Sequence, residues 1–275
     1  MAIITISRQM GTGGIPIARK AAEKLGYTLV DGDAIIEVAD QYGLTRESLE
    51  LADEKPPHFS EKLDIKHETA LNLIELIILE FALKGNVIIY GRGGQDLLEG
   101  INSVLRVRII APFEDRVERW AEREWLDPDR ARILVRKSDQ QRAGFIKYYF
   151  DRDWDDSLGY DLVINTQRLS EETAVRLICD GIKDRNLTES KAEYKRVLAD
   201  LVLRKRVEIA ICSAREIDLG LLDITAQDGT VTLAGQLHSA AERQQAINLT
   251  EKTVGVRKVV DRIKVVNYRA TPRDH

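Results

Sequence analysis

The chain is poor in the residues that build metal centres and covalent frameworks. Its 275 residues include two cysteines and four histidines. Cys179 and Cys212 lie far apart without ligand spacing, and His58, His67, His238 and His275 form no short metal motif. This argues against a structural zinc site, and two idle or buried thiols fit a cytoplasmic compartment. Charge of one sign is also lacking. A net charge of -4 gives no general reason to expect nucleic acid or an acidic membrane as a partner. There is no long hydrophobic run: the most apolar stretch, Leu71 to Leu83, is short and carries Glu75 and Glu80, which excludes a membrane span. The start, Met1 to Ile6, has no basic region and no cleavage pattern and reads as a strand, not a signal peptide. Low-complexity segments are missing too.

What is present is ordinary globular composition, 44% apolar and 31% charged, at a length that suits one large domain plus a small one. Short β-rich runs alternate with helical patterns. Ile3 to Ile6, Tyr27 to Val30, Asn86 to Tyr90, Leu105 to Ala111 and Tyr160 to Thr166 read as strands. Helices are expected from near Pro16 to Gly26, over Leu71 to Phe81 with one apolar side ending at Gly85, over Glu114 to Glu124, and after an N-cap at Ser170. That alternation predicts an α/β fold, a parallel sheet covered by helices on both faces. Ligands of such sheets bind beyond the strand carboxyl ends. The polar stretch from Asp184 to Lys195 reads as a linker. Beyond it the order becomes helix, two strands, helix, strand, with Asp228-Gly229 as a hairpin turn and Ser239 to Glu242 in capping-box spacing. The expected domains are therefore residues 1–187 and 195–268, the second a small α+β module.

The segment Ser7-Arg8-Gln9-Met10-Gly11-Thr12-Gly13-Gly14 sits between the first strand and the first helix. Backbone N–H groups at such a turn have no intrahelical partners, the helix dipole favours negative charge, and glycine lets phosphate approach closely. The usual phosphate loop reads Gly-x-x-x-x-Gly-Lys-Ser/Thr. Aligned on Gly11-Thr12-Gly13, the first glycine position holds Arg8, the lysine position Gly14 and the hydroxyl position Ile15. Two readings stand, a phosphate loop that draws its charge from Arg8 or Lys20, and a glycine-rich turn without a ligand.

Taken with Gly91-Arg92-Gly93, the run Arg136-Lys137-Ser138-Asp139-Gln140-Gln141-Arg142, Tyr148-Tyr149-Phe150 and Tyr160 to Thr166, this segment resembles the cytidylate kinase-like family of P-loop nucleoside monophosphate kinases. The resemblance covers residues 1 to about 187. It implies ATP and Mg2+ as cofactors and a nucleoside monophosphate, CMP or dCMP, as acceptor. In this branch the loop reads Ser-Arg-x-x-Gly-Ser/Thr-Gly-Gly, so the missing lysine belongs to the branch. By this resemblance Ser7, Arg8, Gly11, Thr12, Gly13 and Gly14 hold the nucleotide. Arg92 keeps the arginine of an Asp-Gly-Arg-Asp segment whose acids are gone here, and would hold the acceptor phosphate. Arg136 and Arg142 match lid arginines that close over the transferring phosphoryl. For each a plainer reading stays open: a strand-end arginine for Arg92, and a solvated helix face with Arg136–Asp139 and Asp139–Arg142 pairs for the lid. Arg116, Arg119 and Arg123 read as such a face. Asp33 faces the acceptor, orients a magnesium-bound water, or caps a helix starting at Ala34. No residue is assigned as a magnesium ligand.

Residues 197–266 resemble a BON domain, carried by Asp228 to Gly235, Ala241-Glu242-Arg243 and Gly255 to Ile263. This implies a phospholipid or protein partner. Arg257, Lys258, Arg262 and Lys264 are either an anion patch or a charged strand edge. Three functions remain open: an ATP-dependent kinase of CMP or dCMP, a non-catalytic nucleotide-binding regulator reporting through the second module, and a kinase of another small acceptor.

Overall fold

The computed structural model describes residues 2–45, 47, 49, 54–56, 65–188, 191–214 and 217–266. The larger sheet is built from β1 (Ile3–Arg8), β2 (Thr28–Val30), β3 (Val87–Tyr90), β4 (Val104–Ile110) and β5 (Leu162–Asn165), in the order β2-β3-β1-β4-β5. Every pairing is parallel. The sheet is covered on both faces, which is why its strands are continuous apolar runs. Successive side chains alternate between faces. Ile4, Ile6 and Ile88 pack with α1 (Gly14–Leu25) and α7 (Glu171–Gly181) on one side. Ile3, Val87 and Ile89 pack with α3 (Ile65–Lys84) and the end of α6 (Pro128–Phe150) on the other.

The remaining helices of this domain are α2 (Gly32–Ala39), followed by a 3-10 turn at Asp40–Tyr42, the short α4 (Gly94–Leu97), α5 (Phe113–Glu124) and α8 (Arg185–Thr188). Two ends form as expected: Gly26 closes α1 in a left-handed conformation at φ 67°, and Ser170 caps α7 by accepting from the Thr173 N–H. Asp127 caps α6 ahead of Pro128. The expected cap at Asp33 is instead Asp31, whose carboxylate accepts from the Ala34 N–H. The helix begins two residues earlier than that reading, at Gly32, so Asp33 lies exposed in its first turn.

The linker stretch is mostly helical. After α8, helix α9 runs over Lys191–Cys212. Its polar start conceals Tyr194, Leu198 and Val202, one apolar stripe at helical spacing that enters the core of the large domain. Further along, Leu203, Val207 and Ile211 enter the core of the small one. This also explains α3, for which a single apolar side was expected. Leu76 and Leu79 are buried as well as Ile74, Ile77 and Ile78, because α9 covers the side turned away from the sheet. Between the helices the Lys205 ammonium, 9% exposed, reaches Glu75 and Glu208 at 2.7 Å each and Asn72 at 3.1 Å. Arg206 pairs with Glu80 at 2.6 Å, and Glu80 accepts from the Tyr42 hydroxyl beyond α2.

The small domain has β6 (Leu222–Gln227), β7 (Thr230–Leu237), α10 (Ala240–Lys252) and β8 (Lys258–Val265). The β6–β7 hairpin turns on Asp228 and Gly229 at φ 48° and 77°, the two left-handed positions that an Asp-Gly turn supplies. Strand β8 pairs parallel to β7 and forms the sheet edge.

Candidate active site

The loop after β1 lies where the chain leaves β1 beside both β3 and β4, at the strand carboxyl ends. Gly11 and Gly13 take φ of 82° and 77°, which is unstrained only for glycine. A Cβ on Gly11 would stand 2.5 Å from the Arg116 carbonyl. Thr12 is buried. Its hydroxyl donates to the Gln9 carbonyl at 2.9 Å, and its own carbonyl accepts from the Thr166 hydroxyl at 3.0 Å. The loop and its surroundings line a cavity of about 340 Å³ with Arg8, Tyr90, Arg119, Trp120, Arg123 and Arg142 among its walls. Trp120 Nε1 and Arg142 Nη1 are buried donors without a hydrogen-bond partner. Unmet buried donors around a glycine loop suit an anion.

The absent lysine has a steric explanation. A Cβ on Gly14 would stand 2.9 Å from the Tyr90 hydroxyl and 3.2 Å from Arg8 Cβ and Cγ. The space a lysine stem would need is thus filled by Arg8, whose guanidinium lies over the Tyr90 ring at 4.3 Å. Lys20 does not serve. It is 52% exposed and turned to Glu171 at 2.7 Å.

Arg8 also meets a residue the sequence reading missed. Its Nη1 lies 2.8 Å from both Glu54 oxygens, Arg142 Nε lies 3.0 Å from Oε2, and the Arg92 N–H donates to Oε1. Burial alone would push the Glu54 carboxyl up, but Arg8 and Arg142 outweigh it and hold the group well below the usual carboxylate range. Burial works against the charge on Arg8 too, and Glu54 more than restores it. Arg92 sits at φ 56° in the turn after β3, with its guanidinium beside Gly32 at the start of α2. The side chains of Arg8 and Arg142 therefore converge on Glu54, and Arg92 meets it through its backbone N–H. Arg136 does not join them. It is exposed and stacks over the Phe113 ring at 5.4 Å.

The α5 arginines are not the solvated face expected of them. Arg116 is 4% exposed and donates to the Ala111 and Met10 carbonyls at 3.0 Å each and to Asp139 at 2.6 Å. Asp139 in turn accepts from the Met10 N–H at 3.0 Å, so it braces the loop and forms no pair along its own helix with Arg136 or Arg142. Arg119 donates to the Thr166 hydroxyl and carbonyl at 3.2 and 2.9 Å. Of the three only Arg123 is largely exposed. Ser7 lies outside the cavity lining. Its hydroxyl accepts from Arg108 Nη1 at 2.9 Å and Trp154 Nε1 at 3.0 Å, beneath the loop. Arg108 itself is 2% exposed, stacked on Trp154 at 3.7 Å and paired with Asp155.

A larger open groove of about 770 Å³ lies between α5 and α6, but Glu114, Asp115, Glu118 and Glu122 line it, which disfavours phosphate. Among the described residues no group of three or more His, Cys, Asp or Glu is set to hold a metal. No helix among them is long and apolar enough to cross a membrane. Magnesium at a nucleotide needs no protein cage, since it keeps waters and binds the phosphates with one or two carboxylates.

A five-stranded parallel sheet with a glycine loop after its first strand, facing a set of convergent arginines, defines a phosphate-binding α/β domain. The model of the cytidylate kinase-like family matches residues 3–168, and that of the BON domain matches residues 199–267. The chain belongs to the cytidylate kinase-like family and carries a BON domain after it. It is 31% identical over 180 residues to a cytidylate kinase of Natronomonas pharaonis, spanning 65% of this chain and 88% of that one. It is 30% identical over 186 residues to a cytidylate kinase of Staphylothermus marinus, spanning 66% and 97%. An uncharacterized protein from Eubacterium ventriosum has a similar crystal structure, with a TM-score of 0.54 at 24% identity, covering 67% of this chain and all of that one.

Proposed function

We propose that the large domain transfers the γ-phosphoryl of ATP to a nucleoside monophosphate, with CMP or dCMP as acceptor. The observation that carries this reading is Arg8. It fills the room a lysine would take at Gly14 and turns toward Arg92 and Arg142. A phosphate oxygen of the acceptor attacks the γ-phosphorus, the bond to the β–γ bridging oxygen breaks, and ADP and the nucleoside diphosphate leave. Gly11, Thr12, Gly13 and Gly14 present the loop backbone to the ATP phosphates. Arg92, Arg8 and Arg142 hold the acceptor's phosphate, and from that seat Arg8 and Arg142 also bear on the charge that spreads over the transferring group. Such catalysis is positioning plus electrostatic stabilisation. Ser7 acts from below, by fixing the end of β1 through Arg108 and Trp154. Arg136 contributes as a lid group once its side chain leaves Phe113. Asp33, an exposed carboxylate, would orient a magnesium-bound water, and the ion would supply positive charge against the phosphates. A cytoplasmic site of action goes with these substrates.

A second reading, a nucleotide-binding regulator, draws on one observation: α9 ties the small domain directly to α3 and, through Arg206 and Glu80, to Tyr42. The BON domain would then report to a phospholipid or protein partner, with Arg257, Lys258, Arg262 and Lys264 exposed toward it.

The test is an ADP-release assay with ATP, magnesium and a panel of nucleoside monophosphates, on wild type and Arg92→Ala. Turnover of CMP or dCMP that collapses in the variant supports the kinase reading. Nucleotide binding without turnover of any acceptor supports the regulator instead.

A further inference from the structure

The Glu54 carboxylate is held as a bound anion would be. Three donors from three separate elements converge on it: Arg8 from the end of β1, Arg142 from α6 and the Arg92 N–H from the turn after β3. The seat is built around this approach. Gly91 lies at φ 77°, and a Cβ there would collide with Arg8 Nη1 and Glu54 Oε1. Two residues beyond Glu54, Pro56 packs on α6 where Gly144 leaves room for it, a Cβ at Gly144 standing 3.0 Å from Pro56 Cγ. One helix therefore supplies both an arginine of the seat and the surface against which the Glu54 segment rests. Yet the seat is imperfectly filled. Glu54 engages Arg142 only through Nε, and Arg142 Nη1 stays buried without a partner.

We propose that Glu54 is an internal stand-in for phosphate, occupying the anion seat of Arg8, Arg142 and the Arg92 N–H until the acceptor's phosphate displaces it. A phosphate dianion brings more charge and one more terminal oxygen than a carboxylate, and so gives the unmet Arg142 donor an acceptor. Until then, Glu54 keeps three buried positive or donor groups from standing unpaired. The exchange sets the acceptor's apparent affinity, because an outside ligand binds only the fraction of molecules whose seat is free. This inference deepens the proposed function, and rests on it only for the identity of the anion as acceptor phosphate.

The experiment compares full-length wild type and Glu54→Gln, which keeps the shape of the side chain, removes its charge and turns one of its two accepting oxygens into an NH2 donor. Inorganic phosphate is titrated by calorimetry and CMP by steady-state kinetics. The expected result is a Kd for phosphate and a KM for CMP lowered about tenfold, the factor for a seat that is nine-tenths self-occupied. Unchanged or weaker phosphate binding would overturn the proposal and make Glu54 a brace that holds the arginines. Phosphate binding needs no turnover, so an inactive protein that binds phosphate more tightly as Glu54→Gln sustains this inference while the kinase reading fails. Should the variant not fold, the wild type decides alone. Saturating phosphate should shift the NMR signals of the Arg92 amide and the Arg142 Nε–H together, and signals that stay in place would contradict displacement.

Discussion

In the large domain the arginines near the strand ends are buried and paired, whereas on the small sheet the basic side chains of β8 stand in solvent. Arg8, Arg108 and Arg116 have side chains 14%, 2% and 5% exposed, each against a carboxylate from a distant part of the chain. Lys258, Arg262 and Lys264 line an edge strand whose opposite face covers the small core. Burying a charge costs several kcal/mol unless partners are placed to meet it, while an exposed one costs little and contributes little. The two domains therefore invest differently. The first holds charge in a fixed geometry, as chemistry on phosphate requires. The second offers charge to whatever approaches, and discourages edge pairing as it does so.

The sharpest way to break this contrast is Arg8→Met. Under the proposed function Arg8 is a preorganised cation at the transferring group, and its loss should lower kcat/KM by about 10²–10³-fold. Steady-state assays on protein shown by circular dichroism to be folded would check it. A smaller effect is expected at the joint between the domains. Lys205→Met leaves Glu75 and Glu208 facing each other and should cost about 2–3 kcal/mol, less than for a fully enclosed pair because the carboxylates are 23% and 21% exposed. Denaturant titration would read it, and should also separate the unfolding of the two domains. Burial works against the Lys205 charge, but the two glutamates outweigh it and raise the ammonium above its ordinary value of 10.5. Its contribution is therefore present in full below that value and lost only as pH rises through the higher folded one.

Asp96 behaves in the opposite sense. Burial pushes its carboxyl up to about 6. Its ionised form is thus disfavoured in the folded state, and stability declines as pH rises from 3.8 to about 6. Asp96→Asn should then be more stable than wild type by about 1–2 kcal/mol at pH 8, the shift being discounted for partial exposure, with the gain vanishing near pH 4. Thermal melts at both pH values would measure it. The smallest effect is expected on the small sheet. Neutralising Lys258, Arg262 and Lys264 together should leave nucleotide turnover within about twofold and stability within about 0.5 kcal/mol. A large loss of turnover would erase the division between the domains.

The sequence showed whatever rests on local rules. The strands, the helix ends at Gly26 and Ser170, the Asp-Gly hairpin and the glycine loop each depend on a few neighbouring residues. Groups that meet across the fold stayed hidden. Glu54 lies 46 residues from Arg8 and 88 from Arg142, in a stretch whose composition suggests only a polar loop. Arg116 and Arg119 follow the spacing of a solvated helix, and nothing local reveals that they turn toward Met10 and Thr166. For Arg8 there was one local hint, since a glycine in the lysine position leaves its room to a neighbour. The α9 stripe of Tyr194, Leu198 and Val202 was legible in principle, but the charges between those residues masked it.

The most direct test of the account is single-turnover transfer from γ-labelled ATP to CMP in the presence of magnesium, with wild type and Arg8→Met side by side. The account predicts label in CDP for wild type, appearing about 10²–10³-fold more slowly in the variant. Saturated binding of both nucleotides with no label in CDP, or equal rates in the two proteins, would contradict it.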